Sequence, residues 1–264
     1  YSGGSSVPNV EIIVSSDDMS SQGKSFQFNG TNSFLSASDK KNSLSDTEFS
    51  VEAWISPVIA DMNNRTIFYK PGKYELGFDG TGQLFFANGS NRVAFKYDNF
   101  TDKVFTHITG VRSSDKILLY ANDSLLASVN VPAGTPIVNT DSILIGKNMT
   151  GNFFNGYIDE VRVWNKALTK AEISRDYTRQ LAGSETSLAA YWRFDEPIEN
   201  AFYDISFKGS AYNEHHGKVY NAVRSSAVIP TTEQLNLKGI TDDQGNYLIS
   251  GIPYLGDGTI YTFR

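Results

Sequence analysis

The chain has 264 residues, a length typical of one large β domain or of one domain with a fragment attached. Hydrophobic residues make up 40% of it, which excludes wholesale disorder, and no run approaches the ~18 apolar residues of a membrane span. The net charge of −6 argues against nucleic acid or an anionic membrane as the partner. There is no cysteine, and therefore no disulfide, thiolate metal site or cysteine nucleophile.

The predicted elements are mostly short strands. Residues 49–55 alternate between apolar and polar with a period of two, as a half-buried strand does. Residues 117–120 and 125–129 predict a hairpin with a turn at 121–124, in which Asn122 and Asp123 tolerate the left-handed backbone of a tight turn. Further strands are predicted at 142–146 and 156–164. Turn signals at roughly ten-residue spacing between such strands indicate a β-sandwich.

One helix is predicted after residue 168. Thr169 and Glu172 have the spacing of a capping box, in which each side chain bonds the other residue's backbone amide. Ile173, Tyr177 and Leu181 then recur at four-residue steps and give one apolar face, and Gly183 is the predicted terminator. We expect this helix to lie on the rim or back of the sandwich.

We divide the chain into a leading segment (1–23), a β-sandwich domain (24–228), and a linker with a partial β module (229–264). Residues 230–233 predict the linker, and the strands predicted at 235–240 and 247–249 are too few to form a domain by themselves. The chain starts at Tyr1 without signal-peptide features and ends at Arg264 within an apolar alternation, so we expect a piece of a longer protein.

Several motifs occur in a characteristic order. The sequence resembles the laminin-G-like, pentraxin-like jelly rolls of the concanavalin A superfamily over about residues 24–228. The motifs that carry the resemblance are residues 28–30 (FNG), 49–57 (FSVEAWISP), 107–111 (HITGV), 154–165 (FNGYIDEVRVWN) and 188–196 (LAAYWRFDE). The resemblance implies an all-β, concanavalin A-like jelly-roll sandwich with one short helix, followed by the first strands of a second small β module. The tail is similar to repeated modules of large surface proteins in Bacteroidetes-type bacteria.

Within these motifs, Trp54, Trp164 and Trp192 are predicted to belong to the core, because aromatic residues in alternating strands are more often packed than exposed.

The superfamily contains glycoside hydrolases, which need two carboxyl groups facing one substrate. The comparable acidic strand here carries Asp159 and Glu160, which are adjacent, and adjacent strand residues point to opposite faces. No nucleophile elbow, phosphate-binding glycine loop or zinc-helix motif is present. We therefore predict a protein without catalytic activity.

Calcium is the one cofactor that the resemblance suggests. The loops at 69–73 and 146–152 lack the acidic residues of the pentraxin calcium pair. A structural calcium ion elsewhere would be held by Asn29 and Asn32, on one loop, together with Asp159 and backbone carbonyls. The alternative is that Asp159 bonds backbone amides and Asn29 caps a turn.

A sugar site would combine exposed aromatic faces with polar side chains. Such residues occur in or next to predicted loops, and the alternative is that these aromatic residues fold back onto the sandwich. The predicted carbohydrate-binding residues are Tyr69, Tyr74, Tyr97, Asn99 and Phe100.

These observations predict an extracellular or cell-surface adhesion or lectin-like module that binds glycan or protein at the sandwich rim. Two alternatives remain open: a structural spacer in a repetitive surface stalk, or an accessory module of a secreted glycoside hydrolase or protease. The expected partners are a glycan or surface protein and neighbouring repeats of the same long chain. Nucleic acid and membrane insertion are not expected.

Overall fold

The computed structural model describes residues 11–16, 23–39, 44, 47–134, 139–206, 215–227, 237–240 and 261–263. The chain divides into two compact units, one formed by Lys24–Pro230 and the other by Tyr1–Gly23 with Thr231–Arg264. The predicted linker at 230–233 and the predicted strand at 247–249 lie outside the described residues.

The larger unit holds sixteen of the described strands, one α-helix and one 3-10 helix (Ile59–Asp61). Its strands and α-helix, in chain order, are β2 (Ser25–Asn29), β3 (Phe34–Ala37), β4 (Phe49–Pro57), β5 (Arg65–Lys70), β6 (Tyr74–Phe78), β7 (Leu84–Asn88), β8 (Asn91–Phe95), β9 (Thr106–Arg112), β10 (Lys116–Ala121), β11 (Ser124–Asn130), β12 (Ile143–Ile145), β13 (Asn155–Trp164), α1 (Lys170–Asp176), β14 (Leu188–Trp192), β15 (Ala201–Phe202), β16 (Gly217–Tyr220) and β17 (Val223–Ser225).

The smaller unit contains three described strands, which form an antiparallel sheet. Its central strand, β1 (Glu11–Ser16), lies in the predicted leading segment and pairs with β18 (Leu237–Ile240) and β19 (Tyr261–Phe263) from the other end of the chain. Residues that are distant in sequence therefore build one sheet.

Two antiparallel sheets form the sandwich of the larger unit. The first, which we call the covered sheet, has the order β11-β10-β9-β4-β13-β2-β17, with β14 also pairing β13. The second, the open sheet, has the order β15-β16-β3-β12-β5-β6-β7-β8. Side chains from both sheets fill the space between them; fully buried examples are Phe26, Ile55, Ile108, Phe68, Leu76, Phe86 and Trp192. The predicted all-β sandwich is confirmed, and the three tryptophans are buried.

The helix begins where the sequence predicts. The hydroxyl oxygen of Thr169 accepts a bond from the amide of Glu172, and the Glu172 carboxylate accepts one from the amide of Thr169. The helix ends at Asp176, however, so Leu181 belongs to the segment after it. Gly183 has φ +86°, and a Cβ there would lie 2.2 Å from the carbonyl oxygen of Ile205, so this position requires glycine for close approach as well.

The helix and the following segment cover the outer face of the covered sheet. Ile173 and Leu181 are buried in a second apolar cluster with Val111, Trp164 and Tyr191 from the sheet below. The part of this face beneath them is therefore in the protein interior.

Charged groups beneath the helix hold it in place. The Arg162 guanidinium contacts Glu160 Oε2 at 3.0 Å and donates to the carbonyls of Asp176 and Arg179. Trp164 Nε1 donates to Glu52 Oε2 at 2.7 Å. Burial raises the pKa of Glu52, and the charge of Arg162 counteracts this rise. Most donors and acceptors of this cluster bond within the chain, but the buried Glu52 Oε1 and Arg162 Nε have no hydrogen-bond partner among the described residues.

A second buried ionic chain lies between the sheets. Lys70 Nζ is 2.7 Å from Asp39 Oδ2, and both side chains are fully buried. His215 lies between two carboxylates, with its Nε2 3.5 Å from Asp39 and its Nδ1 2.8 Å from Asp204. Burial lowers the pKa of His215, but its hydrogen bonds to the carboxylates of Asp204 and Asp39 outweigh this and raise the pKa to about 8. The network links Asp204 and His215 to β5 and to the residues that follow β3.

Candidate functional site

The outer face of the open sheet carries a continuous row of side chains. In an antiparallel ladder, directly paired residues point to the same face, so the strand register shows which residues share it. The row crosses seven strands, about 29 Å at the usual strand spacing. From β16 to β8 its members are Lys218, Ser36, Leu144, Tyr69, Glu75, Ala87 and Arg92.

Glu75 lies near the middle of this row and is fixed by two neighbours. Its Oε1 accepts a bond from the Thr66 hydroxyl at 2.7 Å and from Asn148 Nδ2 at 2.9 Å. Among the described residues, none donates to its Oε2. Tyr69, directly paired with Glu75 and therefore on the same face, is half-buried. The centre of the face thus offers a positioned carboxylate oxygen beside an aromatic ring.

Further aromatic side chains lie to both sides of this centre. On β7, Phe85 is half-buried and has the Arg92 guanidinium 4.3 Å from its ring centroid; Arg92 in turn pairs with Asp79 at 2.5 Å. On the other side, the rings of Phe34 and Tyr220 stack with a centroid distance of 4.5 Å. Tyr220 is 42% exposed.

The predicted carbohydrate-binding residues do not meet in one place. Tyr69 lies on the open face, as described. Tyr74 and Phe100 are 3% and 7% exposed and belong to the core, so the expectation that they contact a ligand is corrected. Tyr97 is half-buried and packs edge-on against Phe100 at 4.8 Å, whereas Asn99 is exposed in the loop after β8. The loop aromatics fold back onto the sandwich, which is the alternative stated above.

Sequence reasoning missed Glu75, Phe85, Asn148 and the Phe34–Tyr220 pair. A signal was present for Phe85, since it lies between Leu84 and Phe86, two buried residues whose side chains alternation points inward. The other residues depend on the pairing register. That register brings together strands separated by more than 180 residues, such as β3 and β16.

The expected calcium residues are also separated. Asn29 Oδ1 accepts bonds from the amides of Thr31, Asn32 and Ser33 and from two hydroxyls, so it closes a turn. Asn29 pairs with Asn155 on β13, and Asp159 lies four residues further along that strand, about 13 Å away. The register thus corrects the expectation of a shared ion, and Asp159 instead accepts from the amide of Glu160 at 2.8 Å.

An arginine supplies the positive charge at this end of the sandwich. The Arg65 guanidinium donates to the carbonyls of Gly30 (3.2 Å), Phe153 (2.8 Å) and Asp61 (3.1 Å), and to the Asp61 carboxylate. Burial raises the pKa of Asp61, but hydrogen bonds from Arg65 and Asn155 outweigh this and lower it. These oxygens are of the kind that calcium prefers, and here they bind a side chain. No group of three or more His, Cys, Asp or Glu residues suited to a metal ion occurs in the described ranges.

Asp159 and Glu160 lie closer in space than strand alternation implies. Glu160 has φ +49°, and the ladder between β13 and β4 shifts register between Asp159 and Arg162, which indicates a β-bulge. Both residues are buried, and the pKa of Asp159 is raised well above its usual value by burial and by the charge of Glu160. The expectation that the two carboxylates face opposite sides is corrected. Glu160 nevertheless bonds to Arg162 and the Tyr191 hydroxyl, beneath the covering segment.

Comparison with known proteins places this geometry in context. A candidate carbohydrate-binding protein from Bacteroides ovatus has a similar structure, with a TM-score of 0.62 and 18% identity over 80% of this chain; the match covers 61% of that protein. A heptameric pentraxin from Limulus polyphemus has a TM-score of 0.45 and 18% identity, covering 58% of this chain and 81% of that one. Domain 4 of an extracellular arabinanase from Geobacillus stearothermophilus, solved with arabinotriose, has a TM-score of 0.42 and 18% identity, covering 64% and 98%. No match was found among curated proteins.

A family model covers residues 29–174, more than half of the chain, and therefore includes β3 to β13 and most of α1. Together with the two-sheet sandwich, this match shows that the chain belongs to the concanavalin A-like lectin/glucanase superfamily.

Proposed function

We propose that this protein is a non-catalytic, lectin-like module that binds a glycan chain on the outer face of the open sheet. The observation that carries the proposal is the central pair of Tyr69 and Glu75. A sugar ring presents apolar C–H faces and polar hydroxyl groups, and this pair presents an aromatic surface beside a carboxylate oxygen with no described donor.

The dimensions of the face support an extended ligand. From Tyr220 on β16 to Phe85 on β7 there are five strand spacings, about 24 Å, with aromatic side chains at both ends. A single sugar would occupy only a small part of this length. The proposal is therefore binding within an oligosaccharide chain, across the strands, on the sheet face instead of at the rim.

The absence of catalysis is part of the proposal. Hydrolysis of a glycoside uses two carboxyl groups that face the substrate. In the described strands, the row on the open face holds one carboxylate, Glu75. Asp159 and Glu160 lie near each other, but they are buried under the segment after α1 and bonded within the protein.

The location follows from the ligand that we propose. Glycan chains of this length are displayed on cell surfaces or secreted, so we propose an extracellular or cell-surface protein that acts beside neighbouring modules of a longer chain. In the described parts of the chain, no helix has the length and apolarity needed to cross a membrane. The description of the Bacteroides ovatus structure agrees with this proposal.

A glycan array probed with the 264-residue chain tests the proposal, followed by calorimetry on the strongest ligand. Tyr69→Ala should weaken binding about tenfold, because the stacking surface is lost. Glu75→Gln should also weaken it, since the amide cannot accept from sugar hydroxyls in the same way. Tyr157→Ala is the matched control, because Tyr157 is a half-buried tyrosine on β13 of the covered sheet. Glycan affinity that is unchanged in both the Tyr69 and the Glu75 variant would overturn the proposal. So would the absence of binding to any glycan on the array.

A further inference from the structure

One end of the open face, at β16, β3 and the loop after β12, is built differently from the centre. We call it the lysine end and define it by Phe34, Lys147, Phe153, Lys218 and Tyr220. We infer that the glycan bound on this face carries an anionic group, a carboxylate or a sulfate, which Lys147 and Lys218 hold at the lysine end. This inference rests on the proposed function and names the chemical class of its ligand.

The ammonium group of Lys147 is held in position by aromatic rings. Its Nζ lies 4.2 Å from the ring centroid of Phe34 and 5.6 Å from that of Phe153. Tyr220 stacks on Phe34, so these four side chains form one assembly. A cation–π contact orders a lysine without neutralising its charge. The donors of Lys147 thus remain available to an anion, and much of the entropy of ordering the side chain has already been lost in the free protein.

Lys218 lies on the same face, two residues before Tyr220 on β16. It is exposed and directly paired with Ser36, which has a small side chain. The spacing of alternate strand residues places Lys218 about 7 Å from Tyr220 along the strand. Two lysines of this face therefore lie next to one stacked aromatic pair.

Neither lysine is in an ion pair with a described carboxylate. Other cations of the same sheet are paired: Lys70 with Asp39 at 2.7 Å and Arg92 with Asp79 at 2.5 Å. The chain as a whole carries a net charge of −6, so two unpaired lysines at one aromatic cluster are a local reversal of sign. Such a reversal favours an anionic ligand group at this end.

The same charges set the direction of the ligand. Glu75 and Lys218 belong to one row and are separated by four strand spacings, about 19 Å. Glu75 would repel an anionic sugar directly above it, whereas it accepts hydrogen bonds from neutral hydroxyl groups. The anionic group therefore lies at the lysine end, and a neutral sugar lies above Tyr69 and Glu75.

Calorimetry with pairs of matched oligosaccharides tests this inference on the 264-residue chain. One pair is oligogalacturonate and its carboxyl-reduced form, and the other is a sulfated galactan oligosaccharide and its desulfated form. The charged member of at least one pair should bind at least tenfold more tightly, and which pair responds separates carboxylate from sulfate. Lys147→Met and Lys218→Met should each weaken binding of that charged ligand roughly three- to fivefold, and added salt should reduce the preference.

Lys116→Met is the control, since Lys116 is an exposed lysine on β10 of the covered sheet; it should leave the affinity unchanged. Equal binding of charged and neutral members, unaffected by the two lysine variants, would overturn the inference while leaving glycan binding intact. Binding of neither member, together with no binding to any glycan of the array, would instead overturn the proposed function, and the inference with it. A single-stranded oligonucleotide that binds more tightly than every saccharide would overturn both.

Discussion

The outer faces of the two sheets arise from the same strand alternation but differ in the burial and bonding of their polar side chains. On the covered sheet, Glu52, Glu160 and Arg162 are almost fully buried and bonded to Trp164, Tyr191 and the chain beyond α1. On the open sheet, Tyr69 and Glu75 are partly exposed, and Glu75 keeps one oxygen with no described donor. Polar groups that are buried and ion-paired within the chain belong to the fold, whereas an ordered polar group that reaches the surface with one oxygen lacking a described donor is suited to a ligand.

The largest expected effect comes from Arg162→Met on the covered sheet. It leaves the carboxylates of Glu52 and Glu160 buried without their cation, and breaking a buried pair from one side costs about 3–5 kcal/mol. Thermal unfolding should show a melting temperature lower by roughly 10 °C or more. Arg92→Met on the open sheet removes an exposed ion pair and should cost no more than about 1 kcal/mol. Equal losses in the two variants would contradict the contrast between the faces.

The buried histidine between the sheets gives the next effect through pH. The folded-state pKa of His215 is raised to about 8, so its stabilisation is complete below its unfolded value and is lost as the pH rises through 8. Between pH 6.5 and 8.5 the wild type should lose on the order of 2 kcal/mol relative to His215→Gln. Chemical denaturation of both proteins across this range measures the difference. If the difference in free energy of unfolding between the two proteins did not change with pH, titration of His215 would not contribute to stability in this range.

The third prediction concerns Arg65 at the rim of the sandwich, where its guanidinium connects three loops. Arg65→Met leaves the carbonyls of Gly30 and Phe153 and the Asp61 carboxylate without their donor, which should cost about 1–3 kcal/mol. Wild-type melting curves in millimolar calcium and in excess chelator should superimpose, because the guanidinium already binds these oxygens. A chelator-dependent shift of the wild type would show that an ion holds the rim instead.

The smallest expected effect on stability belongs to Tyr69→Ala. Its side chain is half-exposed and lies outside the core, so the free energy of unfolding should fall by no more than about 1 kcal/mol. Urea denaturation measures this, alongside the binding assay. A large loss of stability would mean that Tyr69 supports the sheet, and the loss of glycan binding would then have another explanation.

The fold was predictable because its signals are local. The strands β4 and β13, the Asn122 turn between β10 and β11, and the capping box of α1 are each indicated by a few adjacent residues, and all are observed. The expectation that β4 is half-buried is wrong: every position of β4 is buried, because α1 and its flanking segments also cover the outer face of this strand. Long-range register is different. Tyr69 and Tyr74 are both aromatic and both near one turn, and the pairing of β5 with β6 and β12 places Tyr69 on the outer face and Tyr74 on the inner one. Phe100 is buried because it packs against Phe78 on β6.

Two further features required the three-dimensional structure. The bulge at Glu160 interrupts the alternation of side chains along β13. No glycine or proline lies next to Glu160 in the sequence to indicate it. The role of Arg65 depends on carbonyl oxygens from loops 35 and 88 residues away in sequence. Every residue type has a backbone carbonyl, so the sequence does not show which carbonyl oxygens meet. A search of the sequence for acidic residues therefore does not find such a site.

The guanidinium of Arg65 also changes what the rim of the sandwich depends on. A bound ion contributes stability that varies with its concentration, since occupancy follows mass action. A covalently attached cation has no dissociation constant and no exchange with solvent. The loops at Gly30, Asp61 and Phe153 therefore stay joined regardless of the divalent-ion supply, and their assembly is decided once, when the chain folds.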